Sequence, residues 1–295
     1  MKKHINTEKT YQIVITTIII ILLICSVFPL LYVVGLSFTG EAEWIERGNT
    51  MIIPYKPTLQ GYQNVLFKGS RFTNAFYISV LRTTIGTVLV MLFTLITGYA
   101  ASRKDLPGRK IIIIIIMITV LFTGGLIPTF LVVKATGIYD TFFSMILPGL
   151  VYPWGVLVFK QFFENLPNQV EESAYIDGAS EFALMTRIII PMSKPVIAAL
   201  AMFIAVGHWN QWFDALIYLQ NEKLEPLQLL LRNMFQNTNI GYNMNSQEIF
   251  DTEQRVSSTS IRMVITVIGT VPILAIFPFL QKYFTKGVYT GSVKG

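Results

Sequence analysis

The chain has 295 residues, of which 53% are apolar and only 14% charged, with a formal net charge of +6. This is far from the mix of a water-soluble protein, and apolar runs near or above the length of a membrane span replace the one or two soluble domains expected at this size. The positive charge is spread over several loops, which reads as membrane topology and excludes a nucleic-acid surface; the single cysteine, Cys25, excludes an intrachain disulfide.

Residues 1–10 carry Lys2, Lys3 and Lys9 and read as a cytoplasmic N-terminus. Residues 11–38 are too long for a signal peptide and lack a small-residue cleavage site. Ile24 before Cys25 also argues against a lipoprotein signal, so this run is the first expected span, kinked at Pro29. Residues 39–71 are polar and punctuated by Gly40, Gly48, Pro54 and Pro57, an external loop with a short interfacial helix over 59–67. Span two is expected over 75–101, with Arg82 near its outer end and snorkelling to the headgroups. The segment 102–110, SRKDLPGRK, holds four basic residues in one short loop and fixes the orientation with that loop inside.

Span three, 111–133, is expected to break in its outer half at Gly124, Gly125 and Pro128. Span four covers 141–163 and contains Pro148 and Pro153. After a polar loop, 164–194, span five runs over 195–219. Residues 220–260 form a long external segment with an amphipathic stretch at 227–235, LQLLLRNMF. Span six is 261–279, with Pro272 and Pro278, and 280–295 is a cytoplasmic tail marked by Lys282, Lys286 and Lys294. Its glycine-rich end, 286–295, is not expected to hold a helix. Both termini and the loops 102–110 and 164–194 therefore face the cytoplasm of a multi-pass plasma-membrane protein.

The loop 164–194 is the most informative stretch. The run EESAYIDGASEFALMTRIIIPMSKP predicts a helix over 169–176, a break at Asp177-Gly178, and a second helix over 179–189 that Pro191 and Pro195 end before the next span. Glu171 and Glu172 suit the first turn of the first helix, where negative charge complements the dipole. Tyr175, Ile176 and Ala179 leave an apolar edge for a partner. Glu172-Ser173-Ala174, three residues, Gly178, nine residues, Ile188, one residue, then Ile190-Pro191 resembles the EAA loop of ABC importer permeases. That pattern is Glu-Ala-Ala, three residues, Gly, nine residues, Ile, one residue, Leu-Pro. Ser173 and Ile190 are the two departures.

Further segments are similar to one branch of that family, the carbohydrate-uptake permeases of the maltose-system G type and, within it, the oligosaccharide group with the lipoprotein-associated and alginate-type importers. They are DLPGR at 105–109, GGLIPT at 124–129, GHWN at 207–210, and the tail QKYFTKG at 281–287 ending in GSVKG. The resemblance implies an all-α integral membrane protein of six transmembrane helices with the type I ABC importer permease fold. It implies a homologous second permease, a cytoplasmic ATPase dimer that binds the ATP and Mg, an extracellular sugar-binding protein and an oligosaccharide substrate, the spans themselves facing membrane lipid. It also implies ATPase coupling through Glu171, Glu172, Ser173, Ala174, Asp177, Gly178 and Ala179, with Glu172 pairing a basic residue of the ATPase. A solvated helix-start charge is the other reading of Glu172.

The residues themselves support this division of labour. There is no Gly-x4-Gly-Lys-Ser/Thr phosphate loop, no His/Cys/carboxylate cluster at metal spacing and no Gly-x-Ser-x-Gly nucleophile turn. No cofactor or metal is expected in this chain, and no catalytic residue. Two rival classes remain at this point: an ion-coupled secondary transporter, which needs charges near mid-membrane, and a membrane enzyme acting on lipid-linked sugar, which needs a surface carboxylate or metal pattern. Asp214 is the only acid well inside an expected span.

Substrate contacts are expected in the outer half of span five. From Pro195, His208 lies about 20 Å along the helix, and GHWNQWFD places His208, Trp209, Asn210, Trp212 and Asp214 together. On one helix His208 shares a face with Trp212, and Asn210 with Asp214. Indole faces and amide or carboxylate groups suit sugars; Tyr152 and Trp154 complete the expected site. Interfacial anchoring of Trp209 and Trp212, and a helix-packing role for Asn210, are the competing readings.

Overall fold

The computed structural model describes residues 2–47, 53–68, 70–236 and 258–291. Among these residues all regular structure is helical. The chain divides into two compact units, Met1–Thr73 with Met234–Thr270 and Asn74–Asn233 with Val271–Gly295.

In the first unit, α1 (Lys2–Ser37) is apolar on all sides, with no polar stripe, and its side chains from Lys9 to Leu31 are exposed, as in a helix solvated by lipid or by other subunits. It starts before residue 11 and runs unbroken through Pro29. The expected external loop contains an added helix, α2 (Glu41–Arg47), whose Glu43 accepts from Arg47 (2.8 Å) and from the Tyr55 and Lys56 backbone N–H groups (2.7 and 3.2 Å). These bonds, the Tyr55 N–H foremost, hold the Glu43 carboxyl below its ordinary range. The expected 59–67 helix is α3 (Gln60–Gln63), which widens into a π turn over Asn64–Lys68.

The second unit is organised on α4 (Ser70–Ser102), which begins earlier than residue 75. The segment expected as span three folds as two helices, α5 (Arg109–Leu121) and α6 (Leu126–Ala135), separated by four non-helical residues at the expected glycines. Span four is not one helix from 141. It opens with 3-10 turns at Phe142–Met145 and Leu147–Gly149 and becomes regular only in α7 (Pro153–Glu164), where Pro153 takes the first-turn position in which no N–H is needed. Next come α8 (Asn168–Ile176), α9 (Glu181–Leu184), a π turn over Met185–Ile189 and α10 (Ile190–Met192). The wide turn sits just before Pro191, which lacks the N–H that α geometry requires, so the helix passes the proline and ends at Met192 rather than 189. An 81° bend then separates Glu181–Met192 from α11 (Lys194–Asn210), whose first turn contains Pro195.

Span five is also interrupted. After α11 ends at Asn210, Gln211 is extended and a short α12 (Phe213–Tyr218) follows. The amphipathic stretch is α13 (Leu227–Gln236), with Leu227, Leu229, Leu230 and Leu231 buried. Finally α14 (Ser258–Gly291) runs through Pro272 and Pro278 and on to Gly291. The expectation of a non-helical tail from 286 therefore fails up to 291: the nucleation cost is met upstream, and each added residue needs only its own bond. Residues 292–295, and most of the external segment 220–260 beyond Gln236, lie outside the described residues.

Among the described residues three helices are long and apolar enough to cross a membrane, and the number is up to five if each of two bent pairs is one span. The core of the second unit joins Val90, Met91, Leu95 and Tyr99 of α4, Phe159 and Phe163 of α7, Leu200 and Ile204 of α11, and Ala174, Leu184 and Ile189 of the polar loop. The loop is thus packed into the same core as the spans. Gly98 makes the α4–α7 crossing close: a Cβ there would lie 2.6 Å from that of Phe159.

Candidate functional site

The turn after α8 is a Schellman closure. The Ala179 N–H donates to Ala174 C=O (2.9 Å) and the Gly178 N–H to Tyr175 C=O (3.0 Å), with Gly178 at φ 77°. Only glycine adopts that backbone without strain. Ser180 caps the second helix by accepting from the Ala183 N–H (3.3 Å), so that helix starts at Glu181 and not at 179.

Periodicity splits α8 into two faces. Glu171, Ala174 and Tyr175 share a stripe turned toward the chain: Ala174 is buried in the core, and Glu171 accepts two bonds from Arg103 (2.7 and 2.9 Å). Glu172 and Ile176 lie on the other stripe and are exposed, Ile176 by 86%. Ser173 is exposed and bonds back to Gln169 C=O (2.7 Å). Asp177 and Gly178 are exposed, and Ala179 packs against the core. The sequence reading missed Phe182, 71% exposed just beyond the turn, which extends the outward apolar edge of Ile176.

Behind the loop lies a polar network that the sequence reading did not assign. Glu181 accepts from the Tyr175 hydroxyl and from the Tyr99 hydroxyl (2.6 Å). The Tyr175 bond, then that of Tyr99, holds the Glu181 carboxyl below the usual range. Arg103 stacks over the Tyr99 ring at 4.4 Å. Arg109 pairs with Glu164, which also takes Lys160 (2.8 Å), and Arg109 Nε reaches Ala101 C=O (2.8 Å). The basic loop read as a topology marker is therefore also a structural fastener. Its signal was the alternation of basic residues with turn residues in SRKDLPGRK.

The second feature is a cleft of about 490 Å³ whose polar lining includes Arg82, Tyr152, His208, Gln211, Asp214 and Tyr218. Arg82 is 1% exposed and does not snorkel. With α4 starting at Ser70, it sits about 18 Å along the helix, too deep to reach an end. It pairs with Asp214 and donates to the carbonyls of Gln211 (2.8 Å) and Met145 (3.4 Å). The break after Asn210 leaves the Gln211 carbonyl without a helical partner, and Arg82 supplies one.

The same break cancels the expected pairing of His208 with Trp212 and of Asn210 with Asp214, which required one continuous helix. His208, Asp214 and Tyr152 do line the cleft; a Cβ on Gly86 would lie 2.7 Å from the His208 Nε2. Trp209 is buried edge-on to Phe76, ring centres 5.8 Å apart, and Asn210 is exposed away from the lining. Trp212 packs with Ile78, Met145, Ala215 and Leu229, under the Arg232 guanidinium at 4.3 Å. Trp154 is exposed beside a shallow groove formed with Gln161 and Asn165. Arg82, Gln211 and Tyr218 were missed. Among the described residues no group of three or more His, Cys, Asp or Glu converges to hold a metal.

Apolar spans, a polar loop buried on one face and bare on the other, and a largely apolar cleft carrying a few polar groups between α4, α11 and α12 are features of a membrane transport subunit. The chain belongs to the binding-protein-dependent transport system inner membrane component family, whose pattern matches residues 83–289, a range that holds the loop and every cleft residue named above except Arg82. It is 39% identical over 272 residues to protein LplC of Bacillus subtilis (strain 168), covering 92% of this chain and 90% of that one. The polygalacturonan/rhamnogalacturonan transport system permease protein YtcP of the same organism is 36% identical, with 92% and 94% covered. Among solved structures, a bacterial ABC transporter involved in the import of the acidic polysaccharide alginate superposes with a TM-score of 0.86 at 25% identity, covering 94% of this chain and 98% of that one. The chain is thus an ABC transporter permease, a transport subunit and not an enzyme, with the type I permease fold. The two rival classes fall away.

Proposed function

We propose that this permease forms half of the translocation pathway of an ATP-driven oligosaccharide importer. The carrying observation is the two-faced helix α8: one face is built into the core with α4, α7 and α11, while Glu172 and Ile176 stand free on the other. Such a helix transmits a push from outside to the spans. A cytoplasmic ATPase dimer, binding ATP and Mg, receives this face; Glu172 meets a basic residue there and Gly178 allows close approach. A homologous permease supplies the other half of the path, and an extracellular binding protein delivers the sugar. ATPase closure then rocks the spans between inward- and outward-facing packings.

The substrate class follows the names of relatives: YtcP, of a polygalacturonan/rhamnogalacturonan transport system; AraQ of Bacillus subtilis (strain 168), 27% identical, of an arabinooligosaccharides transport system; and the transporter involved in alginate import. The cleft has the makings of a sugar site: Tyr152, His208, Gln211 and Asp214 line it with an aromatic ring and hydrogen-bonding groups, and buried Arg82 holds Asp214 and the Gln211 carbonyl in place. Uptake of a labelled oligogalacturonide or arabino-oligosaccharide into proteoliposomes should require ATP, the ATPase, both permeases and the binding protein together. Uptake driven by a proton or sodium gradient without the ATPase refutes the reading.

Six spans are proposed, α5 and α6 making one interrupted crossing, with both termini and the loops 102–110 and 164–194 in the cytoplasm. In a Cys25→Ala background, a membrane-impermeant thiol reagent should label Lys223→Cys in intact cells and Lys104→Cys only after permeabilisation. The opposite pattern inverts the topology. Asn239, another outward position on this reading, lies outside the described residues.

A further inference from the structure

Apolar burial holds α8 only lightly, because Ala174 alone among its described side chains is buried. Its orientation depends instead on two polar anchors along one stripe. At the first turn Glu171 receives the fork of Arg103 (2.7 and 2.9 Å), and both side chains are about one-fifth exposed, at 22% and 20%. At the last turn the Tyr175 hydroxyl donates to Glu181, whose second oxygen takes the Tyr99 hydroxyl (2.6 Å). Both anchors converge on the end of α4. Tyr99 lies in its last turn and Arg103 follows its last residue, with the guanidinium 4.4 Å from the Tyr99 ring. An isolated surface ion pair contributes little. A two-pronged Arg–carboxylate bond stacked on an aromatic ring is stronger and fixes direction as well as distance.

We infer that Arg103 and Tyr99 are positioning residues that clamp α8 to the cytoplasmic end of α4, holding its Glu172–Ile176 face ready for the ATPase and making α4 move with it. This rests on α8 being the ATPase-docking helix. The consequence reaches the cleft, since the same α4 carries Arg82 and Gly86. Glu171, the more conspicuous carboxylate of the pair by its place in the first turn, faces inward to hold the helix, while its neighbour Glu172 is left for the partner. Losing the clamp releases α8 into several orientations, of which the docking one is a fraction, and apparent affinity falls by that fraction.

The test uses the assembled permease pair in nanodiscs, titrated with its purified ATPase, so that no transported sugar is needed. Glu171→Gln and Arg103→Ala should each raise the apparent Kd for the ATPase about tenfold, the scale of one lost charge-assisted hydrogen bond. Tyr99→Phe, which removes one hydroxyl, should raise it severalfold. The exchanged pair Arg103→Glu with Glu171→Arg should recover most of the loss. Arg103→Lys should recover only part, because an ammonium has no fork. Spin labels replacing Ile96 on α4 and Val170 on α8, a position turned away from the Glu172–Ile176 face, with Cys25→Ala, should keep one narrow distance in nucleotide-free and ATP–vanadate-trapped states, and broaden when Arg103→Ala is added. A parent distance that changes between the two states overturns the clamp, as do single variants with parental Kd or an exchanged pair no better than the singles. Glu172→Lys separates the two inferences: if it weakens the ATPase while Arg103→Ala does not, docking stands and the clamp falls. If Glu172→Lys also leaves Kd unchanged, the docking reading itself fails.

Discussion

Arg82→Ala is expected to destabilise the permease by about 3–5 kcal/mol, the usual cost of removing one partner from a buried ion pair. The asymmetry of the site orders a series of variants. Without Arg82, Asp214 keeps its bond from the Ala215 N–H (2.7 Å) but holds a charge beside an apolar cleft wall, and the Gln211 carbonyl loses its donor. Without the Asp214 charge, Arg82 still has the carbonyls of Gln211 and Met145. Asp214→Asn should therefore be milder than Arg82→Ala. Replacing both members by apolar residues, Arg82→Met with Asp214→Leu, should be milder again, since a buried pair exchanged for packed apolar groups is often neutral. Thermal inactivation of the detergent-purified complex, followed by size exclusion, gives the order. Uptake separates packing from function: the double variant should regain stability yet remain inactive, having lost two polar groups of the cleft. Arg82→Ala as stable as the parent would mean that the pair is screened by water rather than buried.

How this pair escaped the sequence reading shows which features are local. Hydropathy located the apolar segments, and Gly124 and Gly125 marked an interruption that the helices do show, whereas Pro148 and Pro153 were placed inside one span and in fact accompany its irregular start, glycine and proline acting through their own residue's backbone. The break after Asn210 has no such marker. It is held by a guanidinium from a residue 129 positions earlier, a contact visible only once the chain is folded. The depth of Arg82 also turned on where α4 begins, and helix starts are the least legible part of an apolar run. The pairing of His208 with Trp212 failed with the helix on which it was drawn. The polar loop was legible for the opposite reason: its turn is built from residues 174–179 alone, so fixed spacing encodes it. Even there, Arg103 counted only as a positive charge, because a topology rule weighs how many basic residues a loop has and not where their forks point.

Gly178→Asp is expected to abolish coupled uptake while the protein still inserts and packs. Crowding within the turn and crowding at an interface are two separate routes to that loss. The structure separates the two, since a Cβ on Gly178 has no neighbour within 4 Å in this chain. What remains internally is backbone strain at φ 77°, about 1–2 kcal/mol for an ordinary L-residue and less for Asn or Asp, whose short side chains tolerate the left-handed region. A loss of that size leaves most of the permease folded. A much larger functional loss must then arise outside the chain, where the added side chain occupies the docking face beside Glu172 and Ile176. Three variants divide the effect. Gly178→Ala adds strain with little bulk, Gly178→Asn adds bulk with little strain, and Gly178→Asp adds bulk and a charge. If the exposed turn is a contact surface, uptake per inserted molecule should fall about tenfold or more in Asn and further in Asp, with Ala the mildest, and the apparent Kd for the ATPase should rise in the same order. Thermal stability should follow a different order, with Ala lowest. If instead Asn transports normally and Ala is the most impaired, the glycine serves only the geometry of the turn, and the ATPase contact must be sought on Phe182 and the second helix.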